Sequence, residues 1–237
     1  MSSTFRSLIA CVIAMLLLST LITGSAVARS KMVIRESFSG TAPELPKRWK
    51  DVDGDWRRVE GVAKIVPSSV SLRTNIAYSI RSMKSSYAKR GISVSTRLRL
   101  SPTHSNVGVV GPYKDVGNHL FCKVEKTPVH PNGFLAIGRR LHGTKPAIRV
   151  HEDNLGLTVA RRYTLKLVRD RSTVTCSIAR QGTVYGSLDY KLTKPDRRAF
   201  GSGKKTGIRM RLVARGTRRD EDDGRSVFDT FRVRTLS

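Results

Sequence analysis

Apolar and polar residues alternate one by one in about ten short segments of this sequence, and that period of two limits the fold more than any other property. Alternate side chains of a strand point to opposite faces of a sheet, so the period predicts half-buried strands rather than helices. Turn signals such as 131–133 (PNG) and 194–196 (KPD) separate the segments. Many short strands at this spacing predict an all-β sandwich or barrel. The segments are 92–100, 107–110, 119–125, 134–139, 147–151, 163–170, 173–180, 184–190, 207–213 and 226–234.

The 237 residues are organised as an export segment followed by one domain. Residues 1–28 have the three parts of a signal peptide: Arg6, an apolar stretch at 8–22, and small residues at 26–28. The apolar stretch is shorter than the roughly 20 residues that span a bilayer, so we expect cleavage, with an uncleaved anchor as the alternative. Residues 29–237 show no repeat, linker or second apolar span. We therefore expect a single domain that is secreted or periplasmic, with surface association through charge as an option.

The charge of the chain predicts an anionic partner. The sequence has 44 Lys and Arg against 18 Asp and Glu, a formal net charge of +26. Such an excess attracts acidic glycans, cell-wall polymers, lipid headgroups and nucleic acids, but it carries no information about the fold. We expect nucleic acid least, because the chain is exported and has no nucleic-acid-binding motif. A hydrophobic content of 39% argues against a disordered chain.

Several predicted strands alternate apolar residues with arginine. In 207–212, Arg209 and Arg211 share one face while Ile208 and Met210 share the other. A half-buried antiparallel sheet gives this pattern, so the arginines form either a solvated outer face or a basic platform for a polyanion. Of the 44 basic residues 29 are arginine, whose planar guanidinium suits sulfate, carboxylate or phosphate. This bias favours the platform. The same alternation recurs at Arg97, Arg99, Arg232 and Arg234.

Two cysteines and two tryptophans are the other marked residues of the predicted domain. Cys122 and Cys176 alternate with apolar neighbours, which places both side chains in the core. An exported chain permits a disulfide, so the pair is either one disulfide or two buried thiols, and both remain open. Trp49 and Trp56 are expected in the core, with a sugar-stacking platform as the alternative.

Short motifs in four parts of the chain resemble, in order, the strands of a known superfamily. They are 36–38 (ESF) with 54–61 (GDWRRVEG), 113–115 (YKD) with 118–121 (NHLF), 162–167 (RYTLKL), and 207–213 with 227–233 at the end. They look like the strands of concanavalin A-like (laminin G-like) domains. Within that superfamily the chain resembles bacterial secreted domains grouped with 3-keto-disaccharide hydrolases. The resemblance implies a single antiparallel jelly-roll β-sandwich that acts on or binds carbohydrate.

Catalytic motifs are missing from the sequence. Jelly-roll glycosidases use two carboxylates at a fixed separation, and the Glu-x-Asp-x-x-Glu pattern of related glucanases is absent. Glu152 and Asp153 are adjacent and would point to opposite faces of a strand, and the acidic run 220–223 is typical of a solvated hairpin tip. The five histidines show no ligand spacing, although His119 beside Asn118 stands in a strand. Enzymatic activity stays uncertain, and the sequence favours a protein without it.

A structural metal is a further expectation that the resemblance carries. The run 51–55 (DVDGD) lacks the glycine and terminal Glu of an EF-hand loop, so we reject that assignment. Domains of the resembled type often hold Ca²⁺ between their first and last strands. Glu36 and Asp229 stand at the matching places, with hydrogen bonding or pairing with arginine as the alternative. No other cofactor is expected.

Three functions follow from these features. The first is a secreted, non-catalytic, lectin-like carbohydrate-binding module for acidic or sulfated polysaccharide. The second is a secreted glycoside-active hydrolase of the 3-keto-disaccharide type. The third is an adhesin that holds anionic cell-surface polymer by charge alone. For the first, the neutral sugar contacts are expected at Tyr113, Asp115, Asn118 and His119. The anionic contacts are expected at Arg97, Arg99, Arg139, Arg140, Arg161, Arg162, Arg209 and Arg211.

Overall fold

All ten predicted segments form strands in the structure, a computed structural model. It describes residues 30–70, 75–83, 91–102, 104–201, 203–212, 214–215, 218–219 and 226–236. The predicted signal peptide and the acidic run 220–223 lie outside the described residues. In chain order the strands are β1 (Lys31–Glu36), β2 (Trp49–Asp53), β3 (Asp55–Val59), β4 (Val62–Val66), β5 (Ile76–Ser82), β6 (Ile92–Arg99), β7 (Ser105–Asp115), β8 (Asn118–Lys126), β9 (Phe134–Arg140), β10 (Ala147–Asp153), β11 (Arg162–Asp170), β12 (Thr173–Arg180), β13 (Thr183–Lys191), β14 (Lys205–Arg211), β15 (Ala214–Arg215), β16 (Arg218–Arg219) and β17 (Val227–Thr235).

The strands form two antiparallel sheets. The larger has eight strands in the order β13-β12-β11-β6-β17-β4-β3, and β1 also pairs with β17. The smaller has seven, in the order β10-β9-β8-β7-β14-β5-β2, while β15 and β16 pair with each other. Strands distant in sequence are neighbours in both large sheets, for example β6 with β17 and β7 with β14. The prediction of a jelly-roll β-sandwich is confirmed.

The core lies between the two large sheets, where one set of alternate side chains from each sheet meets the other. Both tryptophans belong to it. Trp49 packs 5.0 Å from Phe231 and Trp56 packs 5.7 Å from Phe228, measured between ring centroids. Both indoles are buried, so they supply apolar area to the core and present no face to a sugar.

A disulfide joins the two sheets. Cys122 on β8 is bonded to Cys176 on β12, with 5.5 Å between their Cα atoms. The sequence left one disulfide and two buried thiols as alternatives, and the structure has the disulfide. It ties β8 of the seven-stranded sheet to β12, the strand beside the edge strand β13 of the eight-stranded sheet.

One short α-helix, α1 (Lys194–Phe200), corrects the turn predicted at 194–196. Thr193 caps it: the Thr193 amide donates to Asp196 Oδ2 at 2.9 Å, and the Asp196 amide donates to the Thr193 hydroxyl. Phe200 packs into the core at its end. A 3₁₀ turn covers Pro67–Ser69. Within the described part of the chain, no helix is long and apolar enough to cross a bilayer.

Candidate ligand groove

The outer face of the seven-stranded sheet has a trough at its centre. The strand register sets Arg209 on β14, Gly108 on β7, Lys123 on β8 and Ala136 on β9 in one row across the sheet. Gly108 has no side chain and Ala136 only a methyl group, so the large side chains of Arg209 and Lys123 face each other over a shallow gap. A Cβ at Gly108 would meet the Arg209 side chain at 3.2 Å, which shows how closely that side chain lies over the glycine.

Arg209 forms the floor of the trough. Its guanidinium carbon lies 4.6 Å from the centroid of the Phe121 ring, and that ring in turn lies over Gly138, where a Cβ would overlap it. Arg209 is only 3% exposed, and burial lowers the pKa of its guanidinium. Its Nη1 donates to Asn106 Oδ1 at 3.5 Å, while its Nε has no hydrogen-bond partner among the described residues. The alternation predicted for 207–212 is therefore present in the strand, but the Arg209 side chain is buried instead of exposed to solvent.

Lys123 and Glu125 make an ion pair beside Arg209. The Lys123 ammonium donates to Glu125 Oε2, and Asn106 Nδ2 donates to the same oxygen at 3.0 Å. Lys123 also lies 5.1 Å from the centroid of the Phe134 ring and is 7% exposed. Burial lowers the pKa of Lys123, and the Glu125 carboxylate opposes that shift. The Glu125 carboxylate thus pairs with Lys123, and its charge also opposes the lowering of the Arg209 pKa.

The trough opens into two adjoining cavities, which together we call the groove. The first has a volume of about 530 Å³, and all its charged lining residues are basic: Lys123, Arg140, Lys145, Arg209 and Arg211. The second, of about 430 Å³, shares Asn75, Asn106 and Arg211 with the first and contains Glu125 and His130. Arg140 is held in the wall by its own loop, since its guanidinium donates to the Thr144 and Gly143 carbonyls at 2.8 and 3.1 Å.

An aromatic cluster lies beside the groove on the same face. His119 stacks on Tyr113 with 5.4 Å between ring centroids, and Tyr78 meets its edge at 5.2 Å. Its Nδ1 is 3.3 Å from the Asp115 carbonyl oxygen and its Nε2 is 3.3 Å from the Tyr78 hydroxyl. Burial, together with the charge of Arg209, lowers the pKa of His119 to about 4, and burial raises the pKa of Tyr113 to about 12. Both side chains are buried and neither lines the groove.

Asp115 and Asn118, the other two residues expected to contact neutral sugar, stabilise a tight turn between β7 and β8. Asn118 Nδ2 donates to the Asp115 carboxylate at 3.0 Å, and the Gly117 amide donates to it at 2.8 Å. The side-chain Oδ1 of Asn118 accepts from the His142 amide at 3.0 Å, which ties this turn to the loop that forms the groove wall.

The predicted arginines divide among four places. Arg140, Arg209 and Arg211 line the groove. Arg139 does not, because its guanidinium pairs with the buried Asp196 at the start of α1. Arg161 is exposed just before β11. The remaining three lie on the outer face of the other sheet: Arg97, Arg99 and Arg162.

The two carboxylates expected to hold Ca²⁺ are both paired with arginine. The Glu36 carboxylate is 3.3 Å from Arg81 Nη1, and Asp229 Oδ2 is 3.2 Å from Arg97 Nε and 2.9 Å from Arg162 Nε. The described residues contain no group of three His, Cys, Asp or Glu side chains placed to hold a metal. These contacts fit the alternative of arginine pairing better than a cation site, and calcium stays a prediction from the resemblance.

The structure also gathers residues that the sequence pattern had left scattered. His130 Nδ1 lies 2.9 Å from Asp153 Oδ1, and His130 and His151 pack against Phe134 with centroid distances of 4.5 and 5.2 Å. They extend the groove face toward the β10 edge. Phe121, Lys123 and Glu125 were missed as site residues, although they alternate with the core residues of β8. A signal for these residues was present in the sequence: an aromatic residue, a cation and a carboxylate lie on one face of a strand, and the neighbouring strands carry glycine.

Comparison with known proteins shows the fold alone. No protein-family model and no curated protein matches the sequence. Among solved structures, the chain is similar to the CBM2 module of the evolved Dit protein of Lactobacillus casei BL23 phage J-1 (TM-score 0.58, 9% identity, 88% of this chain and 97% of that one). It is also similar to an endo-1,3-beta-glucanase from Streptomyces sioyaensis (0.56, 12%, 88% and 97%) and to peanut lectin (0.54, 10%, 88% and 98%). The chain therefore has the sandwich fold that these proteins share, as its resemblance to concanavalin A-like domains implied.

Proposed function

We propose that this protein is a non-catalytic carbohydrate-binding module that acts outside the cytoplasm and holds an acidic or sulfated polysaccharide in the groove. The observation that carries the proposal is the almost completely buried Arg209 on the groove floor. A buried guanidinium is costly unless an anion or hydrogen-bond acceptors compensate it. Here the nearest carboxylate, Glu125, is already paired with Lys123. A carboxylate or sulfate group of a ligand would supply the missing negative charge beside the Arg209 guanidinium.

The shape of the site favours a polymer over a small anion. The two cavities adjoin at Asn106 and Arg211, so a ligand can lie across both. The solved structures with this fold include a lectin, a glucanase and a CBM2 module. Their names agree with carbohydrate as the class of ligand, and the basic lining points to an acidic one.

The test is binding of the purified protein to heparin, a polyuronate, a neutral glucan and DNA across a salt series. We expect binding to one acidic glycan that persists at about 0.5 M salt, where the Debye length is only a few ångströms and charge attraction alone is screened. Equal binding to every polyanion that vanishes with salt would overturn the groove proposal and leave the adhesin. Shortening of the polymer during the assay would instead support the hydrolase.

A variant pair tests the place of binding. Lys145→Gln with Arg211→Gln removes two exposed cations of the groove wall and is expected to weaken binding about fivefold. The matched control is Lys194→Gln with Arg198→Gln, which removes two exposed cations of α1 outside the groove. Equal weakening in both variants would show that net charge, rather than the groove, determines the affinity.

A further inference from the structure

The outer face of the eight-stranded sheet carries a second concentration of positive charge. Seven exposed basic side chains point outward from four adjacent strands, β1, β17, β6 and β11. Small hydroxyl side chains, including Ser95, Thr164 and Thr230, stand between them. We call this surface the arginine face. It consists of Arg35, Arg97, Arg99, Arg162, Lys166, Arg232 and Arg234.

The register of the arginine face sets like charges directly opposite each other. Arg99 is the cross-strand partner of Arg162, and Arg35 is the partner of Arg232. Like charges at directly opposed positions destabilise a sheet. An outer face that only needed to be soluble could alternate the two signs, so this arrangement favours a surface that meets an external anion.

Asp229 organises the middle of the arginine face. It is the extra residue of a bulge in β17, where the register shifts between Phe228 and Thr230. The bulge turns its carboxylate to the outer side, where it pairs with Arg97 and Arg162. These two side chains remain 50% and 62% exposed, so one buried carboxylate fixes two guanidiniums while leaving them accessible.

We propose that the arginine face is a second anion-binding surface, and that one molecule can hold two chains of an acidic or sulfated polysaccharide, one on each side. Neighbouring strands lie about 4.8 Å apart and alternate residues about 6.8 Å apart, which suits a linear polymer with regularly repeated charges. The two sites are the outer faces of stacked sheets and therefore lie on opposite sides of the sandwich. The second surface stands independently of the groove, whereas bridging rests on the proposed function.

The experiment counts binding sites by calorimetry with a sulfated tetrasaccharide derived from heparin, which is too short to reach both faces. The face variant is Arg99→Gln with Arg232→Gln, since both side chains are exposed and make no ion pair among the described residues. The groove variant is Lys145→Gln with Arg211→Gln, and the control is Lys194→Gln with Arg198→Gln. We expect two sites in the unchanged protein and in the control. In each of the first two variants we expect one site at its original affinity and the other weakened about fivefold.

The outcomes separate the two proposals. A single site that only the groove variant weakens would overturn the arginine face and leave the proposed function standing. A single site that only the face variant weakens would overturn the groove and support the arginine face. Equal weakening in the control variant would overturn both, because it would show attraction by net charge alone.

Bridging itself is measured with long heparin chains by light scattering. Mixtures of the unchanged protein and heparin are expected to scatter most at an intermediate ratio, where each molecule holds two chains. The face variant is expected to bind heparin but to lose at least half of this maximum. An unchanged maximum in the face variant would overturn bridging.

Discussion

At the scale of single residues, His119 is the side chain whose surroundings most alter its chemistry. Its pKa falls to about 4 because burial and the charge of Arg209 disfavour the imidazolium. An unfolded chain would bind the proton near pH 6.5. Between these values the unfolded state holds a proton that the folded state lacks, so the free energy of unfolding falls as the pH is lowered from 6.5 to 4. The loss is about 3 kcal/mol at the acid end.

Chemical denaturation at pH 7, 5 and 4 measures this loss. His119→Phe removes the titrating group and is expected to flatten the pH dependence by about that amount, even though the variant is less stable at pH 7. An equally steep decline in His119→Phe would show that other groups carry the acid sensitivity.

Glu125 sets the charge of the groove. It is the carboxylate that Lys123 and Asn106 both contact, and in Glu125→Gln the Asn106 hydrogen bond can remain while the charge is lost. The sulfated tetrasaccharide is expected to bind about fivefold tighter to this variant, because the ligand no longer competes with an internal anion. Calorimetry measures the change, and binding of a neutral glucan serves as the control. Weaker binding of the sulfated probe would contradict the prediction that the Glu125 carboxylate opposes an anionic ligand in the groove.

A substitution of Arg139 is expected to change the stability of the fold without changing ligand affinity. It pairs with Asp196, which also accepts a hydrogen bond from Tyr190 Oη at 2.6 Å and caps α1 through Thr193. Arg139→Gln leaves a buried carboxylate without its ion pair and is expected to lower the free energy of unfolding by about 3 kcal/mol. Affinity for the sulfated probe at low temperature should not change. A loss of affinity in a folded variant would restore Arg139 to the ligand site.

Alternation along a strand predicts which side chains point away from the core, but it does not predict which other side chains pack over them. It placed Arg209 and Arg211 on the same outer face, which is correct. Only the structure shows that Phe121 on β8 and Asn106 on β7 contact Arg209, because they are separated from it by 209 − 121 = 88 and by 103 positions in sequence. The spacing of the histidines likewise could not predict that His130, before β9, and His151, on β10, pack against the same ring, Phe134.

At the scale of elements, the sequence predicted the strands from β6 to β14 and β17, and it missed β1 to β5 and the short pair β15 and β16. Strands β11 and β12 show period two clearly in the burial of their side chains. Strand β1 contains a register shift after Met32, and β2 is mostly charged, so neither shows a clean period. Helix α1 has seven residues, which is too short for an amphipathic pattern to develop. Its start was visible only as a turn signal.

The disulfide between β8 and β12 closes a long loop, with 54 positions between the cysteines. Cross-linking restricts the unfolded chain, and a loop of this length corresponds to about 4 kcal/mol in the chain-entropy estimate. Replacing both cysteines by alanine is therefore expected to lower the free energy of unfolding by about that amount in chemical denaturation. Adding a reductant to the unchanged protein should reproduce the effect, and a stability that is the same with and without the bond would contradict the prediction.

At the scale of the whole molecule, the net charge of +26 opposes compaction. Both outer faces carry clustered cations, so self-repulsion acts on the folded state more than on an expanded chain. Raising NaCl from about 20 to 300 mM shortens the Debye length and should raise the thermal midpoint by several degrees. Differential scanning calorimetry measures this shift, and a midpoint that falls with salt would show that the ion pairs, such as those of Asp229, outweigh the repulsion.

If one polymer is bound on each side of the molecule, as proposed above, the position of the disulfide has a mechanical consequence. Tension between the two polymers would pull the sheets apart along their common normal, a direction in which the facing strands are held by side-chain packing and the sheets are linked by chain connections such as β6 to β7. The Cys122–Cys176 bond lies along that direction and connects a strand of the groove sheet to a strand of the opposite sheet. Load would pass from one polymer to the other through a covalent link, so the cross-bridge would resist peeling for as long as the cysteines stay oxidised.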